Sequence, residues 1–134
     1  MTMKKYLLLG ALTLVMLSVY SQNDSTLAPY KRFPSFPPVT LLLPDSVQHN
    51  IKDELPKKLP VMLMIFNPTC EHCQHETEEI IKNIIVAQDP HFFLPPYYMI
   101  NSLPFLAFYN KKKELISVFE GSMPVEKALA ELKK

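Results

Sequence analysis

Two cysteines, two glycines and no tryptophan stand in a chain of 134 residues that carries thirteen prolines. Charge of one sign is also missing. Fourteen basic residues are mixed with thirteen acidic ones for a net charge of +1, which leaves no basic footprint for nucleic acid and no acidic tail. One uncharged stretch, Tyr6 to Tyr20, has an apolar centre from Leu7 to Leu17 that is too short to span a bilayer comfortably. With so little glycine, the prolines punctuate the chain and mark the boundaries of its elements.

What is present at the start is a targeting pattern. Lys4 and Lys5 precede that apolar centre, and Val19 and Ser21 occupy the small-residue positions of a signal peptidase site. Residues 1–21 are therefore expected to be a signal peptide cut before Gln22, with no cysteine there to take a lipid. An uncleaved membrane anchor is the alternative. Either way the remainder is expected in an oxidising, periplasmic compartment, where a cysteine pair can be oxidised. Residues 22–134 suffice for one small domain and no second one.

Residues 22–38 interleave Pro29, Pro34, Pro37 and Pro38 with Tyr30, Phe33 and Phe36, which predicts an extended leader lying along the surface of a domain spanning 39–134. Val39 to Leu43, the turn Pro44-Asp45-Ser46 and Val47 to Ile51 read as an N-terminal β-hairpin. Val61 to Phe66 is the strongest strand, and its unbroken apolar character predicts a central position. From Cys70 the period becomes helical, with Cys73, Thr77, Ile80, Ile81 and Ile84 on one face. Ile84 to Ala87 can form a short strand, followed by an aromatic and proline-rich loop from His91 to Ser102. Phe105 to Tyr109 and Leu115 to Glu120 read as a second hairpin about the turn Asn110 to Lys113. Val125, Ala128, Leu129 and Leu132 mark a C-terminal amphipathic helix begun near Ser122 or Pro124. The class is α/β, a mixed sheet flanked by helices. No apolar stripe is left over once the core is assigned, so a monomer is expected.

The cysteines are Cys70 and Cys73, enclosing Glu71 and His72 directly after the strongest strand and at the start of the helix. A strand, a short turn and a CxxC opening an amphipathic helix is how a reversible dithiol/disulfide site is built. Free amides at a helix start stabilise a thiolate. Glu71 opposes that effect and His72 adds to it, so the direction of electron flow is not set by these two residues.

The segments Pro38 to Ser46, Lys58 to Cys73 and Ser102 to Tyr109 together resemble the exported, thioredoxin-like thiol-disulfide oxidoreductases of the TlpA type, over roughly Val39 to Leu132. That resemblance implies a thioredoxin-like fold, Cys70 as the nucleophile, Cys73 as the resolving thiol, and Leu103-Pro104 as the cis-proline position where substrate backbone pairs. It implies protein or small-molecule thiols and disulfides as partners, with room for a redox partner protein, and neither cofactor nor resident metal. The chain departs from the pattern in having Thr69 where relatives commonly carry tryptophan. It also has only thirty residues between Cys73 and Pro104, so the middle is shortened. The loop His91 to Ser102 is expected to stand in for the missing helix, with Phe92, Phe93, Tyr97 and Tyr98 covering the sheet.

Two other readings accompany this one. Cys70, Cys73, His72 and His75, with His49 or His91, have ligand chemistry for copper or zinc, although a structural zinc site would want a second closely spaced pair and His75 falls away from Cys73 on the helix. His49 and His91 otherwise read as ordinary surface or loop histidines. Gln74 stands where haem attachment requires histidine. A redox-inactive, shortened thioredoxin-like module is the remaining alternative.

Overall fold

Phe105 to Tyr109 is apolar at every position, and the described cores lie on its two sides. In the computed structural model, which describes residues 27–69 and 85–133, this segment is buried throughout. The described elements are α1 (Pro29–Arg32), β1 (Thr40–Leu42), β2 (Gln48–Asn50), α2 (Ile51–Glu54), β3 (Val61–Ile65), α3 (Leu94–Tyr98), β4 (Phe105–Tyr109), β5 (Leu115–Glu120) and α4 (Val125–Glu131). They form a two-stranded sheet, β1-β2, and a three-stranded sheet ordered β3-β4-β5, with antiparallel pairing throughout. The expected signal peptide and the helix expected from Cys70 lie outside the described residues.

Successive side chains of a strand point to opposite faces, and β4 uses both. Phe105, Ala107 and Tyr109 face one core with Phe36, Val39, Leu41, Ile51, Leu94 and Tyr98. Leu106 and Phe108 face a second with Met123 and Ala128. β3 follows the same alternation, Val61, Leu63 and Ile65 toward the first core and Met62 and Met64 toward the second. All its residues are nonetheless only half-buried, and among the described residues the central strand is β4. An unbroken apolar run predicts two-sided cover for either strand. Position in the sheet then distinguishes them, because β4 has a neighbour on each edge.

The β4-β5 hairpin turns where Asn110 to Lys113 predicts it. Asn110 Oδ1 accepts from the backbone N–H groups of Lys112 and Glu114 at 2.8 and 3.0 Å, and Lys113 takes a left-handed conformation at φ 66°. The register jumps from Phe108↔Ser117 to Tyr109↔Leu115, leaving Ile116 as the extra residue of a bulge. α4 starts after Pro124 and lays Ala128 on the second core, with Ser117 Oγ donating to Glu131 Oε2 at 2.8 Å.

The predicted N-terminal hairpin is present as β1 and β2, with Leu41 opposite His49. The segment before it is tied to the far end of the domain. Phe36 N–H donates to the Lys113 carbonyl at 2.8 Å, Leu115 N–H to the Pro34 carbonyl at 2.5 Å, and the Phe36 ring meets Tyr109 at 5.0 Å between centroids. Phe36 is 1% exposed. Its stretch is not wholly extended, because Pro29, at a position where a missing N–H does no harm, opens the one-turn α1. Lys113 Nζ completes the tie by donating to the carbonyls of Pro56 and Leu59, both at 2.7 Å, and partial burial lowers its pKa from the ordinary lysine value.

The shortened middle differs from expectation in two ways. Residues 85–87 form no strand; Gln88 instead bridges Leu42 with reciprocal backbone bonds of 2.8 Å. Where a loop was expected, Leu94–Tyr98 forms α3, with Pro95 and Pro96 accommodated in its first turn. Asp89 Oδ2 accepts from Leu94 N–H at 2.8 Å. Tyr97 and Tyr98 are buried against the sheet and Phe93 is partly so, but Phe92 turns outward, because its left-handed backbone reverses the chain just before the helix.

Candidate functional site

Ile65, the last residue of β3, pairs with Phe105, the first of β4. This register brings the chain leaving β3, Phe66 to Thr69, to the same end of the sheet as the chain entering β4, Asn101 to Pro104. The first segment is shaped by Asn67, whose Oδ1 accepts from Thr69 N–H at 3.0 Å and Thr69 Oγ1 at 2.9 Å. Thr69 is exposed and is the last described residue before Cys70-Glu71-His72-Cys73. Those four residues, expected to carry and tune the chemistry, lie outside the described residues.

The second segment is fixed from β5. The Pro104 carbonyl accepts from Gly121 N–H at 2.8 Å, and Asn101 N–H donates to Glu120 Oε1 at 3.0 Å. Gly121 adopts φ 90°, a conformation that side-chain-bearing residues rarely take. The Leu103–Pro104 peptide bond is cis. Pro104 is buried, whereas Leu103 is 42% exposed, and its backbone makes no hydrogen bond among the described residues. Between the two segments runs a groove of about 430 Å³, with Asn67 and Pro68 on one side and Leu103 on another. Phe92, Pro95 and Ile100 complete it. The sequence flagged this middle segment as aromatic cover for the sheet, and its contribution to the groove was hidden because composition does not tell which aromatic turns outward.

His49 is a surface histidine, as expected, and it is held between two carboxylates. Its Nε2 and Nδ1 lie 3.0 Å from Asp45 Oδ2 and 3.1 Å from Glu54 Oε1, joining the hairpin turn to α2. Hydrogen bonds to these carboxylates raise its pKa above the usual imidazole value, while the Val47 N–H and His49 hold Asp45 below the usual carboxylate range. His91 is exposed, and His72 and His75 lie outside the described residues. Among the described residues no group of three or more His, Cys, Asp or Glu is arranged to hold a metal ion. No helix among them is long and apolar enough to cross a membrane.

The arrangement matches a known architecture. The structure superimposes on a crystal structure of a pneumococcal exposed lipoprotein thioredoxin from Streptococcus pneumoniae with a TM-score of 0.59 and 22% sequence identity, covering 70% of this chain and 96% of that one. The fold is therefore thioredoxin-like, and its class is the α/β one expected from the sequence. No protein-family model matches the sequence, and no curated protein matches it.

Proposed function

We propose that this protein is an exported thiol-disulfide oxidoreductase of the TlpA type, working through Cys70 and Cys73. The supporting observation is the meeting of Phe66–Thr69, which leads into the CxxC in sequence, with Leu103–Pro104 at one end of a thioredoxin-like sheet. Cys70 thiolate attacks one sulfur of a substrate disulfide, forming a mixed disulfide and expelling the other sulfur as a thiolate. Cys73 then attacks the Cys70 sulfur, releasing the second substrate thiol and leaving a Cys70–Cys73 disulfide. Two electrons have passed to the substrate, and an external dithiol returns them; the reverse sequence oxidises a substrate dithiol. Glu71 and His72 tune the couple, and Leu103 offers its open backbone to the substrate chain. Export is supported by the amino-terminal targeting pattern and by the surface location stated in the description of the pneumococcal protein.

The test is the reduction potential of the Cys70/Cys73 couple against glutathione, together with turnover of an insulin-type disulfide. A potential between about −120 and −270 mV, with turnover abolished by Cys70→Ser, is the expected result. Wild-type protein that neither reduces this disulfide nor, in its oxidised form, oxidises a substrate dithiol would overturn the proposal.

A further inference from the structure

Phe92 has a backbone φ of 51° and is 71% exposed. A bulky aromatic in the left-handed region is unfavourable, and such outliers persist where surrounding bonds hold them and where they serve a site. Here the bonds are on Asp89: its carbonyl accepts from Phe92 N–H at 3.3 Å and its Oδ2 from Leu94 N–H at 2.8 Å. The ring gains no core burial in return. It stands instead on the groove that Leu103, also exposed, borders, with Ile65, Phe66, Pro95 and Ile100 contributing to the lining.

None of the described lining residues carries a charge, so among them a small thiol bearing carboxylates finds no counter-ion. An apolar side chain does find a matching surface. The backbone of Leu103, unpaired among the described residues, can meanwhile bond an extended chain as a strand edge does. We infer that Phe92 and Leu103 flank a subsite that receives an apolar side chain next to the reacting cysteine of an extended polypeptide, making Phe92 a specificity-determining residue. This rests on the disulfide-exchange reading above.

The experiment compares two disulfide-linked peptides that differ only in carrying Leu or Ser beside the cysteine, with wild type and Phe92→Gly. The wild type is expected to favour the Leu peptide about tenfold in kcat/KM, and the variant to bring that ratio near one. Glycine also suits φ 51°, so the variant's melting temperature should hold or rise while the preference disappears, a combination a purely structural role does not produce. Equal wild-type turnover of both peptides, abolished by Cys70→Ser, would overturn the subsite and leave disulfide exchange standing. If neither peptide is reduced and neither is oxidised from its dithiol form, disulfide exchange fails, and the subsite is judged on cysteine-free versions of the peptides by methyl NMR. Shifts at Ile65, Ile100 and Leu103 that saturate about tenfold earlier with the Leu peptide support it. Absence of shifts, or equal affinity for the two, overturns it.

Discussion

Tyr98 and Tyr109 share a hydrogen bond between their hydroxyls within the first core. Burial raises the pKa of both, pushing Tyr109 up to about 12, so both are neutral at ordinary pH and one hydroxyl donates to the other. Tyr98→Phe leaves the Tyr109 hydroxyl without this partner in a dry environment. The expected loss is about 1–3 kcal/mol of stability, read from urea unfolding. At this scale the sequence is uneven in what it reveals. Leu103-Pro104 is legible through the resemblance, because proline before an apolar strand is by itself an ordinary strand entry. The partners of Tyr98 and His49 are not, because Tyr109 lies in another element and Glu54 is reached only when α2 turns back toward the hairpin. Phe92 is legible as an aromatic but not as an exposed one, since its direction depends on a left-handed backbone that nothing in its side chain favours.

Among elements, the β1-β2 hairpin carries a pH dependence whose sign follows from its two shifted groups. His49 has a raised pKa, so its contribution is complete below the unfolded imidazole value near 6.5 and is lost as pH rises through the folded one. Asp45 has a lowered pKa, so its contribution is present above its ordinary value of 3.8 and is lost as pH falls through the folded one. The hairpin is therefore held best between about pH 4 and 6.5. A melting-temperature profile should show its gain there, and His49→Gln should flatten the limb above pH 6.5 while the acid limb, set first by the Val47 N–H, remains. α3 depends on a single outside acceptor. Asp89→Ala removes the carboxylate that meets Leu94 N–H, with an expected loss of about 1 kcal/mol and faster exchange of that amide proton. The hairpins and α4 were readable because proline and polar turn residues bound them. α3 was not, because two consecutive prolines argue against a helix everywhere except in its first turn, where they sit.

Over the whole molecule, the proline-rich segment before β1 is part of the core it borders. Phe36→Ala should cost about 3–5 kcal/mol, measured by chemical denaturation, as for a fully buried phenylalanine. A surface strap would lose far less. The thioredoxin-like class was legible from the order of the segments, but the replacement of the absent middle helix by α3 and the Leu42–Gln88 bridge depends on contacts between distant parts of the chain.

The tie between Phe36 and the tip of the second hairpin also sets the timing of folding. A chain that emerges amino-terminus first, from a ribosome or through a translocation channel, presents Phe36 long before Tyr109, Lys113 and Leu115 can receive it. The first core cannot close until nearly the whole sequence is out, and until then no partial product has a finished interior to defend. Such a chain closes its first core only when its last strand arrives.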